Sequence, residues 1–127
     1  MTLNIHSIAP NFKLPNQDSE MVELDKIEKN VILFFYPKDN TPGCTKEAIS
    51  FSEFLLKINK FDCKVFGISK DSIKKHQNFR RKQNLKVDLL SDEESNVCEN
   101  YGVWVEKSMY GRKYMGIERT TFLINKK

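Results

Sequence analysis

Residues 31–47 have the sequence VILFFYPKDNTPGCTKE, in which an apolar run, a turn and the start of a helical pattern follow one another. Residues 31–36 are apolar, rich in β-forming side chains and ended by Pro37, which predicts a buried strand. Beyond the turn, apolar residues recur three or four positions apart, which predicts a helix with one buried side: Ala48, Phe51, Phe54, Leu55 and Ile58. The stretch therefore predicts one strand, turn and helix unit of an α/β fold.

Cys44 lies in the first turn of that predicted helix. Thr41 is a suitable N-cap residue, and Pro42 suits the first helical position. Unpaired N–H groups and the helix dipole favour a thiolate at such a position, so a cysteine there is a candidate nucleophile. The alternative is a small apolar residue that fills a packed turn, because free cysteine is commonly buried.

Strands and helices are predicted to alternate along the rest of the chain. The pattern predicts a hairpin over 11–15 and 20–24, strands over 64–69, 87–90 and 119–124, a basic helix from Asp71-Ser72 to about Asn84, and a short helix started by a capping box at 91–94. Residues 102–117 are predicted to form a glycine-containing loop. We therefore expect an α/β fold whose right-handed crossovers place helices on both faces of the sheet. Sites in such folds lie beyond the carboxyl ends of the strands, which is where Cys44 lies.

Composition limits the size and partners of the protein. With 127 residues and 39% apolar content, the chain can bury one core, and we expect a single domain over 1–127. The formal net charge is +4, spread along the chain. We interpret the densest basic segment as a solvated helix face rather than a nucleic-acid site: Lys74, Lys75, His76, Arg80, Arg81, Lys82 and Lys86.

The cysteines and the apolar runs indicate a compartment. The N-terminal residues lack the pattern of a secretory signal, and no apolar run is long enough to span a bilayer, so we expect a cytoplasmic protein without a membrane partner. Cys44, Cys63 and Cys98 form no Cys-x-x-Cys pair and have no histidine close in sequence. This spacing favours free thiols in a reducing compartment, and we expect neither a metal nor a cofactor.

The spacing Pro37-x-x-x-Thr41-x-x-Cys44 resembles the active-site motif of the peroxiredoxins, and residues 35–48 resemble the bacterioferritin comigratory protein, or Q-type, subfamily. Further similar segments cover 9–12, 65–71, 89–92, 101–104 and 116–122, so the resemblance spans nearly the whole chain. It implies a thioredoxin-like fold with a central mixed sheet. It also implies thiol-dependent reduction of hydrogen peroxide and organic hydroperoxides through a sulfenic acid at Cys44.

The resemblance also assigns roles to individual residues. Cys44 would be the peroxidatic thiol, and the departing oxygen would be stabilised by the Thr41 hydroxyl, the backbone N–H groups of Gly43 and Cys44, and the Arg119 guanidinium. Pro37 would shape the pocket and shield the sulfur from water. Outside this catalytic set, Glu47 would orient Arg119 through a charge-assisted hydrogen bond.

Each of these residues also has a plainer interpretation. Thr41 can be a helix cap, and Arg119, taken without its motif, is typical of a surface strand. Trp104, Phe122 and the phenylalanines of the first helix are most simply core residues.

Two features depart from the subfamily. Many members carry a resolving cysteine five residues after the peroxidatic one, where this chain has Ile49, and Cys63 and Cys98 are the remaining candidates for that role. We therefore predict a one-cysteine mechanism with thioredoxin, glutaredoxin or a small thiol as reductant. The sequence printed here also lacks the further strand and helix with which members usually end, and an apolar patch would then be exposed.

The sequence leaves two functions open. The leading hypothesis is a peroxidase that is a monomer or weak dimer. The alternative is a redox-responsive sensor or chaperone-like protein, in which oxidation of Cys44 exposes a binding surface.

Overall fold

The structure is a computed structural model that describes residues 8–58 and 63–125. Its elements are, in chain order, β1 (Lys13–Pro15), β2 (Met21–Glu23), a short 3-10 helix (Leu24–Lys26), β3 (Asn30–Phe35), α1 (Pro42–Ile58), β4 (Cys63–Ser69), α2 (Ile73–Lys82), β5 (Asp88–Ser91), α3 (Val97–Asn100), β6 (Trp104–Met109), β7 (Arg112–Ile117) and β8 (Thr120–Ile124). Most of the predicted elements are present within a few residues of the expected bounds. No helix of the described ranges is long and apolar enough to cross a membrane.

The central sheet is mixed, as predicted. Its four strands lie in the order β5-β4-β3-β8, with β3, β4 and β5 parallel and β8 antiparallel to β3. In the β3–β8 register, Phe35 at the carboxyl end of β3 is opposite Thr120 at the start of β8. The turn that follows β3 and the residue that precedes β8 therefore lie at the same edge of the sheet.

Alternate residues of β3 belong to two separate cores, because successive side chains of a strand point to opposite faces. Phe34 belongs to the core that contains Cys44 and Ala48 of α1 and Phe79 of α2. Leu33, Phe35 and their neighbours belong to the core on the other face, which α3 and the β1–β2 hairpin cover. The prediction of helices on both faces is confirmed, with the two long helices on one face and the one-turn α3 on the other.

Close packing of aromatic rings seats α1 on the sheet. Phe34 of β3 stacks on Phe51 of α1 with ring centroids 4.5 Å apart. Gly67 of the neighbouring strand leaves room for this ring, because a Cβ there would lie 2.7 Å from Phe34 Cζ. Residue 67 must therefore be glycine for the Phe34 ring to occupy this position.

The prediction that the phenylalanines of α1 are core residues is wrong for Phe54, which is 43% exposed. At about 100° per residue, Phe51 and Leu55 lie within about 20° of the direction of Cys44 around the helix axis, whereas Phe54 lies about 80° away. Trp104 and Phe122 are partly buried against the core, as expected.

The predicted loop over 102–117 is wrong, because β6 and β7 form an antiparallel hairpin there. Met109 is paired with Arg112, and the two residues between them, Tyr110 and Gly111, have φ angles of 51° and 79°. Positive φ at both central residues is typical of the two-residue turn that matches strand twist. Tyrosine at the first of these positions is an unusual turn residue, which is why the sequence pattern did not indicate a hairpin.

The predicted capping box at 91–94 is also wrong. Ser91 ends β5, and its hydroxyl donates to the Asp71 carbonyl at 2.6 Å. The first turn of α3 is instead capped by the buried Asp92 carboxylate, which accepts from the N–H groups of Val97 and Cys98 at 3.2 and 2.8 Å. Lys70 lies 3.2 Å from this carboxylate and balances its charge.

Candidate active site

Cys44 lies in the first turn of α1 and is buried. Pro42 is the first residue of the helix, and the Thr41 carbonyl accepts the first helical hydrogen bond from the Thr45 N–H at 2.8 Å. The N–H groups of Gly43 and Cys44 precede this bond, so they have no acceptor within the helix. These donors and the helix dipole make the surroundings of the sulfur favourable for negative charge.

Arg119, the residue that precedes β8, contacts the sulfur. Its Nη2 lies 3.2 Å from Cys44 Sγ, and its Nη1 donates to Glu47 Oε1 at 2.7 Å. Cys44 and Glu47 are three residues apart on α1, so they share a helix face and one guanidinium can reach both. The contact predicted between Glu47 and Arg119 is confirmed.

Arg119 keeps its positive charge in this position. Burial lowers the pKa of Arg119, but the hydrogen bonds to Cys44 and Glu47 outweigh burial and hold the pKa above its ordinary value. The side chain remains 40% exposed, so a small molecule from solvent can reach the guanidinium. The guanidinium therefore places a positive charge 3.2 Å from the sulfur.

The other predicted site residues lie on the same turn. Thr41 Oγ1 donates its hydrogen to the Lys38 carbonyl at 2.9 Å, which leaves the lone pairs of the oxygen to accept. Gly43 is exposed beside Arg119, with the position of a Cβ 3.4 Å from Nη2. Pro37 is exposed in the loop between β3 and α1. The structure thus brings Cys44, Gly43 and Arg119 into contact, with Thr41 immediately before the helix.

Sequence reasoning missed a buried polar cluster behind this turn, which contains Tyr36, Asp39 and His76. His76 was expected on the solvated face of the basic helix, but its side chain is completely buried. His76 contacts Asp39 of the loop at 2.6 Å, and Asp39 accepts from the Tyr36 hydroxyl at 2.6 Å. Spacing could have indicated this burial, because His76 precedes the buried Phe79 by three residues and so shares its helix face.

Cys98 is buried in the core on the opposite face of the sheet from Cys44. Burial, and then the negative charge of Asp92, raise the pKa of the Cys98 thiol. Because the raised pKa keeps this sulfur protonated, and the thiolate is the reactive form, we expect Cys98 to be inert in the folded protein. Cys63 is half-buried at the start of β4, and its sulfur contacts the Lys64 carbonyl at 3.7 Å.

Alkylation of the native protein checks the inertness of Cys98. With iodoacetamide at about pH 8.5, near the ordinary thiol pKa, Cys98 should react slower than in urea-unfolded protein by roughly a hundredfold or more. Peptide mass mapping after timed quenching measures the rate at each cysteine separately. Equal rates of Cys98 labelling in the native and unfolded protein would contradict the prediction.

Comparison with known proteins identifies the family. The sequence pattern of the AhpC/TSA family matches residues 5–127. The chain belongs to the AhpC/TSA family. Within this family it is similar to the Bcp peroxiredoxins: it is 53% identical over 126 residues to a Coxiella burnetii protein provisionally named peroxiredoxin bcp, and 43% identical over 127 residues to peroxiredoxin Bcp of Bacillus subtilis. These alignments cover 98% and 99% of this chain, and 83% and 81% of the two relatives.

Solved structures of peroxiredoxin Q proteins agree with this assignment. Xanthomonas campestris peroxiredoxin Q superposes with a TM-score of 0.84 at 38% identity, covering 90% of this chain and 73% of the other. A Xylella fastidiosa PrxQ structure gives the same TM-score at 40% identity, covering 98% and 77%. The predicted resemblance to Q-type peroxiredoxins and the thioredoxin-like fold are confirmed, and the chain is a peroxiredoxin, a thiol-dependent peroxidase.

Proposed function

We propose that Cys44 is the peroxidatic cysteine of this peroxidase. The Cys44 thiolate attacks one peroxide oxygen, forming an S–O bond as the O–O bond breaks, and the sulfur is oxidised to sulfenic acid. The other oxygen leaves with the electron pair of the O–O bond and takes up a proton to become water or an alcohol. The observation that carries the proposal is the 3.2 Å contact between Arg119 Nη2 and Cys44 Sγ.

The surrounding groups suit the charge that develops in this step. The leaving oxygen becomes negative, and donors already held in position stabilise it best. We assign that role to the Arg119 guanidinium and to the backbone N–H groups of Gly43 and Cys44. Pro37, which has no N–H and a fixed φ, shapes the loop around the sulfur.

We assign Thr41 a role different from the stabilisation of the departing oxygen that the resemblance implied. Its hydrogen is already donated to the Lys38 carbonyl at 2.9 Å, so the oxygen is available as an acceptor. It then accepts the O–H of the incoming peroxide and orients the peroxide for attack by Cys44.

The substrates that we propose are hydrogen peroxide and organic hydroperoxides. Both contain the O–O bond that the thiolate breaks, and they differ only in the group on the leaving oxygen. A Xanthomonas campestris bacterioferritin comigratory protein that superposes with a TM-score of 0.84 is described as having alkyl peroxide reduction activity. The exposed side of Arg119 gives either kind of peroxide a route from solvent.

We propose a one-cysteine mechanism in which an external thiol reduces the oxidised Cys44. Ile49 occupies the local resolving position, and Cys98 is a buried, protonated thiol on the opposite face of the sheet. Thioredoxin, glutaredoxin or a small thiol would then be the reductant. We also propose that the chain is a single domain that acts in the cytoplasm as a monomer or weak dimer. We propose neither a nucleic acid nor a membrane as its partner.

Intact mass after one equivalent of peroxide tests the one-cysteine mechanism. We expect the mass to increase by one oxygen, which corresponds to a sulfenic acid, and dimedone should trap that sulfenic acid on Cys44. With dithiothreitol present, the protein should consume many equivalents of peroxide. Loss of two hydrogens, with a Cys44 to Cys98 or Cys63 linkage in the peptide map, would contradict it. Consumption of a single equivalent with dithiothreitol present would instead support the sensor alternative.

A further inference from the structure

Four polar groups from three parts of the fold form the buried cluster behind the active-site turn. Tyr36 follows β3, Asp39 lies in the loop before α1, and His76 lies on α2, next to the Leu90 carbonyl of β5. All three side chains are almost entirely buried, with the exposure of Asp39 the largest at 6%. Buried polar groups are costly unless every donor and acceptor is paired, so the arrangement of protons here is strongly constrained.

Hydrogen bonds join these groups to one another. The Leu90 carbonyl can only accept, so His76 Nε2 donates to it at 3.1 Å. Asp39 Oδ1 accepts from the Tyr36 hydroxyl at 2.6 Å, and a second short hydrogen bond joins Asp39 Oδ2 and His76 Nδ1 at 2.6 Å. Burial, and then the charge of Asp39, raise the pKa of Tyr36 well above its ordinary value, which keeps this hydroxyl a donor. His76 is therefore hydrogen-bonded through both ring nitrogens, to Asp39 and to the Leu90 carbonyl.

This pair is connected to Thr41 through one peptide unit. The Asp39 N–H donates to Asp71 Oδ2 at 2.7 Å, and the Lys38 carbonyl of the same peptide accepts from Thr41 Oγ1 at 2.9 Å. Because a peptide unit is planar, its two hydrogen bonds fix its orientation together. The hydrogen bond to His76 holds the side chain of Asp39, and thus the Lys38–Asp39 peptide, in place. The orientation of this peptide determines where the Thr41 hydroxyl points.

We propose that His76 is a positioning residue for peroxide reduction. By binding Asp39 and the Leu90 carbonyl, its ring holds the Lys38–Asp39 peptide in the orientation that directs the lone pairs of Thr41 towards the peroxide at Cys44. This inference rests on the proposed role of Cys44 and extends it to a residue 32 positions further along the chain.

Three substitutions of His76 separate positioning from packing. His76→Asn keeps a donor near the Nδ1 position and can still bind Asp39, whereas His76→Gln reaches the Leu90 carbonyl, and His76→Leu binds neither. We expect the second-order rate constant of Cys44 oxidation to fall roughly 10- to 100-fold in His76→Leu and His76→Gln, because small displacements of reacting groups have effects of this size. His76→Asn should recover most of the rate. Stopped-flow fluorescence or competition with a reference peroxidase measures the rate constant.

Val87→Ala is the matched control for lost stability. Val87 is buried in the core that α2 covers, but it does not belong to the Asp39 pair. We expect this variant to lower the melting temperature and to leave the rate constant of the folded protein unchanged. An equal loss of rate in Val87→Ala and His76→Leu would overturn the inference, and so would an unchanged rate in His76→Leu.

Two further measurements keep the inference testable if His76→Leu does not fold. Asp39→Asn preserves the shape of the side chain and should lose rate as His76→Gln does, and an unchanged rate would overturn the inference. In proton NMR, the wild-type protein should show a downfield resonance from the proton shared by His76 and Asp39 that is absent in Asp39→Asn, and its absence from the wild type would overturn the short hydrogen bond between them.

The wild-type protein is measured first, beside Cys44→Ser. If wild-type protein shows no peroxide consumption that depends on Cys44, the proposed function fails and this inference fails with it. If that activity is present and only the His76 variants behave unexpectedly, the inference alone is overturned.

Discussion

Replacement of Cys44 by serine should abolish peroxide consumption. A serine hydroxyl fills nearly the same space, but it stays protonated beside Arg119 and its oxygen is a poor nucleophile toward another oxygen. We expect the second-order rate constant to fall by a factor on the order of a thousand or more, to the background of the reductant alone. Peroxide consumption with excess dithiothreitol, followed by a colorimetric peroxide assay, measures the loss.

Two cysteine variants are the matched controls for this prediction. Cys98→Ala removes a thiol that is buried in the core on the opposite face, and Cys63→Ser removes a half-buried thiol at the start of β4. Both variants should keep peroxide consumption within about threefold of the wild type, provided that they fold. If Cys44→Ser retained turnover while Cys98→Ala lost it, the catalytic thiol would have been assigned to the wrong residue.

The part of the fold that could be predicted from sequence is the part that hydrophobic periodicity determines. Residues 31–36 gave a clear strand pattern, and the apolar spacing after Pro42 gave a helix, because burial requires those periods. Where one side chain decides the structure, the pattern failed. The Tyr110-Gly111 turn depends on an unusual positive φ at tyrosine, and the start of α3 depends on a buried carboxylate, Asp92, several residues upstream.

Only the part of the candidate site that lies on one stretch of chain could be predicted from the sequence. Thr41, Gly43 and Cys44 lie on one turn, so their closeness follows from the chain itself. Arg119 is 75 residues from Cys44, and only the resemblance to peroxiredoxins connected them. The structure supplies the physical connection, which is the pairing of Phe35 with Thr120 in the antiparallel β3–β8 register.

His76 illustrates how tertiary contacts override a composition-based interpretation. Its neighbours Lys74 and Lys75 are exposed, as a basic helix predicts, but the ring itself is completely buried. The three-residue spacing from the buried Phe79 is compatible with burial of the ring, but no sequence signal identifies its partner Asp39, which lies 37 residues earlier. Burial of this ring depends on the acceptors Asp39 and the Leu90 carbonyl, which sequence does not place beside it.

Removal of the Arg119 guanidinium should have the second-largest effect on catalysis. Arg119→Leu deletes the cation that lies 3.2 Å from the sulfur and that we propose as a donor to the leaving oxygen. Loss of one preorganised donor to a developing oxyanion costs roughly 10²- to 10³-fold in rate, and we expect a fall of that size in the second-order rate constant. Stopped-flow oxidation of the reduced protein by hydrogen peroxide measures it.

The form of the Arg119 side chain matters as well as its charge. Arg119 contacts Cys44 with one nitrogen and Glu47 with the other, and a lysine ammonium lacks this planar fork. Arg119→Lys should therefore recover only part of the rate, and Glu47→Gln, which keeps an acceptor oxygen, should lose about tenfold or less. Arg112→Leu is the matched control, because it removes the same charge from an exposed position on β7 and should leave the rate unchanged. If Arg119→Leu and Arg112→Leu lowered the rate equally, the effect would come from net charge, and the contact with Cys44 would have no special role.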